Sequence, residues 1–222
     1  MNHRLLPFYF FACILLTNCT TKEVKQVPPN IIVILADDLG YGDVGAYNPE
    51  SKIKTPFLDQ LASEGMRFTD AHTTSAVCTP TRYALLTGRY NWRTRLKEGV
   101  LTGKSKALIP ADRTTLGSML QRSGYETAFI GKWHLGMDWG LKEGEIFVEG
   151  GWNPEDYDQL DFSKPIANGP GTRGFDYSLA LPASLDIAPY VYVENNQLTN
   201  IPTKVTIDEG EYSWWREGPT SD

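Results

Sequence analysis

Residues 31–35 read Ile-Ile-Val-Ile-Leu, a short, β-branched, continuously apolar run just after the double proline Pro28-Pro29. A strand wetted on one face would alternate apolar and polar residues. An unbroken run fits a strand buried on both faces, as in a parallel sheet covered by helices. The run gives way to Asp37-Asp38-Leu39-Gly40-Tyr41-Gly42, a polar, glycine-punctuated turn at the strand's carboxyl end, where α/β folds gather ligands. Helix and strand signals then alternate. Thr55 as N-cap and Pro56 at the first position predict a helix with Phe57, Leu58, Leu61 and Ala62 on one apolar face, ended by Gly65. Residues 66–69 predict a second strand, and residues 80–86 the first turns of a helix that ends near Gly88. Thr114 or Thr115 caps a further helix carrying Leu116, Met119 and Leu120, closed by Gly124, and residues 126–133 predict the next strand. This alternation predicts an α/β fold with a mainly parallel sheet flanked by helices. Residues 138–172, rich in Gly, Pro, Asp, Asn and Trp, predict a long surface excursion, and residues 190–193 a last strand.

At 222 residues with 41% hydrophobic composition, the chain is long enough for one sizeable core. Its net charge of −6 argues against wholesale nucleic-acid binding, which needs a basic face. The first residues stand apart. After the weakly basic His3-Arg4, residues 5–16 are apolar except for Pro7 and Tyr9, too short to span a bilayer and suited to a secretory signal. Leu16-Thr17-Asn18-Cys19 then resembles a bacterial lipoprotein signal, with Cys19 as the lipidated mature N-terminus; cleavage without lipid is the alternative. The expected organisation is a signal at 1–19, a polar tether at 20–29 and the body of the chain from residue 30. The expected address is outside the cytoplasm, in the periplasm or on the cell surface, with a lipid anchor to the membrane.

Of the three cysteines, Cys13 and Cys19 lie in the leader, so Cys78 stands alone in the body. A lone cysteine in an oxidising compartment is either buried and inert or chemically special. Asp37 and Asp38 leave a similar choice. Adjacent carboxylates repel unless a cation lies beside them, and an oxygen-only pair suits Ca²⁺ or Mg²⁺, but a solvated turn or helix cap uses the same residues.

Three segments decide between these alternatives. Ser75-Ala76-Val77-Cys78-Thr79-Pro80-Thr81-Arg82, followed by Leu85-Leu86-Thr87-Gly88-Arg89, contains Cys-x-Pro-x-Arg. Gly124-Tyr125-Glu126-Thr127-Ala128-Phe129-Ile130-Gly131-Lys132-Trp133-His134 is the second, and the opening from Asn30-Ile31 through Asp37-Asp38-Leu39-Gly40 the third. Together, in this order, they resemble the sulfatases, a formylglycine-dependent family of the alkaline-phosphatase-like superfamily. The resemblance runs from about Asn30 to about Pro189.

The resemblance implies a sulfuric ester hydrolase acting on a sulfated carbohydrate or aryl sulfate. Cys78 would be oxidised to formylglycine by a sulfatase-maturing enzyme. Its hydrate would supply one hydroxyl to attack sulfur and a second to expel sulfate, a covalent catalysis that resets its own nucleophile. Asp37 and Asp38 would bind Ca²⁺ (Mg²⁺ less readily) with an oxygen at position 78. Arg82, one helical turn on, would hold the hydrate and the metal ligands. Lys132 and His134, two apart at a strand end, would share a face, Lys132 neutralising sulfate and His134 bonding the hydrate. Ser184, in Leu181-Pro182-Ala183-Ser184, resembles a family position near the sulfate, and His72 has no motif support. Tyr90-Asn91-Trp92-Arg93 offers aromatic faces for a sugar or for surface packing. Complete members are about twice this length and place further metal ligands later, so the chain is expected to be an N-terminal fragment, inactive alone. A phosphonate or phosphate ester hydrolase of the same superfamily, and a degenerate lipid-anchored binding protein, are the competing readings.

Overall fold

The computed structural model describes residues 27–206 and 217–221, so the signal and Cys19 lie outside the described residues. The described residues divide into two units, one ending at Leu39 and the other beginning at Gly40. Within the first, the apolar run makes no strand: residues 31–35 carry no ladder, and Ile32 and Ile34 are 84% and 86% exposed. β-branching gives only a preference for a pleated, packed surface; a strand exists when a neighbour's N–H and C=O groups close the ladder.

In the second unit, α1 spans Pro56–Glu64, begins with Pro56 at its first position and ends at Gly65, whose N–H donates to the Leu61 carbonyl. Thr55 does not cap the helix backbone. Its hydroxyl donates to Asp59 (3.0 Å) and accepts the Gly45 N–H (2.8 Å), so it tethers the preceding loop instead. Residues 66–69, expected as a strand, are irregular and exposed, again without a pairing partner.

α2 spans Cys78–Thr87 and closes on Gly88, whose left-handed backbone (φ +65°) any side chain would strain. α3 spans Leu116–Arg122, capped by Thr115, whose hydroxyl accepts the Ser118 N–H at 3.0 Å. The main sheet runs in the order β1 (Ala128–Lys132), β2 (Tyr177–Leu181), β3 (Val193–Glu194), β4 (Gln197–Leu198). β1 and β2 are parallel, with Ala128 opposite Tyr177 and Lys132 opposite Leu181; β3 and β4 add antiparallel. A separate antiparallel pair joins β5 (Lys204–Thr206) to β6 (Gly218–Thr220). The chain is thus α/β, with a parallel crossover at its centre.

The core gathers Tyr83 and Leu86 of α2, Leu101, Leu108 and Ile109 of the following loop, and Trp133, Leu135 and Met137 beyond β1. Residues 138–172 correct the expectation of a surface excursion: Trp139, Tyr157, Leu160 and Ile166 are buried in this same core. Gly, Pro and Asp mark irregular backbone, and irregular backbone is buried where side chains satisfy it. Here Trp139 donates from its indole to the Gly103 carbonyl (3.0 Å), and the Tyr157 hydroxyl donates to the Ala188 carbonyl (2.5 Å). The fully buried Lys104 donates to the Asp156 carbonyl (2.6 Å). Desolvation pulls the Lys104 ammonium below its ordinary range, opposed by the Asp156 and Glu149 carboxylates.

α3 docks through Gly117, where a Cβ would stand 2.5 Å from the Gly174 carbonyl oxygen. Alanine in a helix interior ordinarily stabilises by about 1 kcal/mol over glycine. At this contact the overpacking wins, and Gly117→Ala is expected to destabilise by about 1–3 kcal/mol. Thermal unfolding of the variant checks this as a lowered Tm.

Candidate active site

Cys78 is the first residue of α2, half-buried and reduced. The next residue, Thr79, is fully buried, and its hydroxyl accepts the Leu101 N–H at 3.2 Å. Arg82 follows one turn along α2 and donates from its guanidinium to the Lys132 carbonyl at 2.6 Å, fastening the helix to the carboxyl end of β1. Lys132 reaches sideways over the end of the sheet and donates to the Ser184 hydroxyl at 3.0 Å. Ser184 lies just past the end of β2, in the strand-end position where α/β sheets place ligands.

His134 arrives differently from the expected strand alternation. β1 ends at Lys132, and His134 has a left-handed backbone (φ +51°). The Trp133 and His134 N–H groups continue onto the Leu181 (2.9 Å) and Pro182 (3.1 Å) carbonyls, so the chain stays against β2 while the ring turns inward. The imidazole is completely buried, and its Nε2 lies 2.7 Å from the Leu101 carbonyl. A carbonyl only accepts, so Nε2 carries the proton. Nδ1 is then a bare, buried lone pair with no protein partner among the described residues. Burial above all, then the positive charges of Lys132 and Arg82, push the His134 pKa down to about 4, against the Leu101 hydrogen bond and the Asp186 charge, which raise it. The ring is therefore neutral at physiological pH.

The structure thus brings Arg82, Lys132, His134 and Ser184 together at one end of the parallel pair. Asp37 and Asp38 lie exposed in the first unit, Asp38 with a left-handed backbone (φ +58°). Among the described residues no three His, Cys, Asp or Glu side chains converge as a cation cage. The residues present therefore do not by themselves fit a Ca²⁺ ion, which takes six to eight oxygens. His72 sits at the surface beside Asp70 (2.6 Å). Tyr90 and Trp92 stack on each other (5.3 Å), with the Arg93 guanidinium over the indole, and both rings remain exposed. Sequence reading missed Leu101, since a backbone carbonyl leaves no trace in residue type, and missed the part Thr79 plays, since it fills the variable position of the motif.

Arg82, Lys132, Ser184 and a neutral His134 thus cluster at the strand ends of an α/β protein, with Cys78, the free cysteine among the described residues, heading the helix that carries Arg82. Comparison with known proteins gives that class its family. Residues 29–204 match the Sulfatase family model, and the chain belongs to the sulfatases. It is 39% identical over 203 residues to N-acetylgalactosamine-6-O-sulfatase of Bacteroides thetaiotaomicron, covering 89% of this chain and 36% of that protein. Bovine arylsulfatase A is 53% identical over 110 residues, covering 50% of this chain and 22% of its own. A solved structure from work on the metabolism of multiple glycosaminoglycans by Bacteroides thetaiotaomicron superposes with a TM-score of 0.65 at 38% identity, covering 83% of this chain and 35% of that one. The chain spans about a third of the length of the Bacteroides relative it matches.

The histidine sets a pH dependence of stability. The unfolded chain takes up a proton on His134 near the ordinary 6.5, whereas the folded chain resists until about 4. Stability from this group is complete above about pH 6.5 and falls as pH drops from there toward 4, by up to about 3 kcal/mol. Urea midpoints measured across this window should fall steeply for the wild-type chain and less steeply for His134→Gln.

Proposed function

We propose that this chain carries the nucleophile-bearing part of a sulfuric ester hydrolase whose substrate is a sulfated carbohydrate or an aryl sulfate. The observation that carries the reading is the Arg82–Lys132–Ser184–His134 cluster at the ends of β1 and β2. The names of the relatives, an N-acetylgalactosamine-6-O-sulfatase and arylsulfatases, support the substrate class. Cys78 is the proposed precursor of formylglycine, through a two-electron oxidation by a separate maturing enzyme. The hydrate at position 78 supplies a hydroxyl to attack sulfur and a second hydroxyl whose deprotonation expels sulfate.

The chain's own groups then have distinct tasks. Lys132 and Ser184 bind a non-bridging sulfate oxygen, the ammonium offsetting negative charge that moves outward as the ester oxygen departs. Arg82 fixes the strand end by holding the Lys132 carbonyl and adds a second positive charge. Neutral His134 offers its bare Nδ1 as a hydrogen-bond acceptor for the hydrate, burial and the two cations keeping the ring unprotonated. Asp37 and Asp38 are proposed as Ca²⁺ ligands on their all-oxygen chemistry and on the family resemblance, and no step here is routed through the cation. Export and lipid attachment at Cys19 are proposed from the leader alone.

Peptide mass spectrometry across residues 75–82 after expression with a maturing enzyme is expected to show the Cys78 thiol replaced by an aldehyde or its hydrate. An untouched thiol under those conditions would sink the reading. In a matured, catalytically complete enzyme that contains this segment, Lys132→Ala should lower kcat/KM on an aryl sulfate by about 10²–10³-fold, the cost of one preorganised donor. Faster turnover of the matching phosphate ester than of the sulfate would instead move the protein to phosphate ester chemistry.

A further inference from the structure

Ser105, outside all three motifs, holds the peptide group against which His134 rests. The Leu101 carbonyl faces His134 Nε2 at 2.7 Å, and the N–H of that same peptide group, which belongs to Thr102, donates to the Ser105 hydroxyl oxygen at 3.0 Å. The peptide is gripped at both ends, by the imidazole on its oxygen and by the serine on its nitrogen. The Ser105 N–H returns to the Thr102 carbonyl (3.2 Å), closing residues 102–105 into a turn. Residues 149–150 fasten this turn. The Ser105 hydroxyl donates to the Glu149 carboxylate (3.2 Å), and the Thr102 hydroxyl to the Gly150 carbonyl (2.5 Å). Leu101, Thr102, Ser105 and His134 are 5%, 5%, 2% and 0% exposed, so water does not stand in for a lost bond.

We propose that Ser105 is a positioning residue for the histidine: by accepting the Thr102 N–H it aims the Leu101 carbonyl at His134 Nε2, keeps the ring proton there and leaves Nδ1 as the bare acceptor. The hydroxyl can do this because its proton goes to Glu149, which leaves an oxygen lone pair for the Thr102 N–H. No ladder or helix sets the orientation of the Leu101–Thr102 peptide, so on its nitrogen side the serine opposes rotation. Were the peptide to rotate, Nε2 would lose its acceptor, and the proton would divide between the ring nitrogens by the imidazole's own weak preference. The catalytic meaning of this positioning rests on the sulfate ester reading above, whereas the positioning itself is a property of the folded chain.

The test is spectroscopic and independent of turnover. In the ¹⁵N-labelled 222-residue chain, two-bond proton–nitrogen spectra of His134 should show one protonated ring nitrogen, Nε2, and one unprotonated nitrogen, Nδ1. The Trp133 indole N–H, which donates to the Gly136 carbonyl at 2.8 Å, reports that the fold is intact. Ser105→Ala, which keeps Cβ and removes the acceptor, should draw the two nitrogen shifts together and speed Thr102 amide exchange by about tenfold or more. The Leu101 amide belongs to the preceding peptide group and is held by Thr79 Oγ1 (3.2 Å), so its exchange should stay at the wild-type rate. Ser105→Thr, which keeps the hydroxyl, should retain the wild-type ring pattern.

An unchanged ring pattern in folded Ser105→Ala, its loss in folded Ser105→Thr, or equal quickening of the Leu101 and Thr102 amides would overturn the proposal. Should Ser105→Ala fail to fold, the wild-type chain decides. A single protonated Nε2 with a protected Thr102 amide supports the positioning, and mixed tautomers or an unprotected amide refute it. Positioning intact, with no ester hydrolysis by a matured, catalytically complete enzyme that contains this segment, would instead count against the proposed function alone.

Discussion

The site depends first on the hydrogen bond between the Arg82 guanidinium and the Lys132 carbonyl, 2.6 Å long. It joins two elements fifty residues apart in sequence: the helix that begins with Cys78 and the strand that ends with the pocket lysine. A lysine's single ammonium would reach the same carbonyl without the planar donor fork that lets one arginine serve a backbone oxygen and still direct charge elsewhere.

Around that bond the parallel β1–β2 ladder sets the geometry. Its register puts Lys132 opposite Leu181, so the chain leaving β1 and the chain leaving β2 emerge side by side. Lys132 then meets Ser184, and the backbone at 133–134 stays pinned to residues 181–182 while the His134 ring turns into the core. The electrostatics follow from position. A buried ring beside two cations stays neutral, and a neutral ring with one nitrogen bound to a carbonyl offers the other as an acceptor. Burial keeps the ring neutral and at the same time makes it a weaker base than an exposed imidazole.

Much of the second unit was legible from local signals because its helices start and stop on residues with strong local physics. Pro56, Thr115 and the glycines at 65 and 88 stand at the helix ends they predicted. The strands were less legible. Residues 31–35 carry a strong strand preference yet form no ladder, and residues 66–69 likewise, because pairing is a property of the neighbour. The excursion at 138–172 was read as surface from its Gly, Pro and Asp content. It is packed by Trp139, Tyr157 and Leu160, whose burial depends on partners such as Gly103 and Ala188.

The three motifs, read alone, determined the family and singled out Cys78, Arg82, Lys132 and His134 as its candidate site residues. Residue type and spacing suffice there because the chemistry is local: a thiol before Pro-x-Arg, a cation beside a strand end. Only the tertiary structure decided which nitrogen of His134 is bare and that Lys132 and Ser184 meet across the sheet end. It alone made the Leu101 peptide part of the site. These are set by a backbone carbonyl, by strand register and by burial, none of which has a signature in the amino-acid sequence.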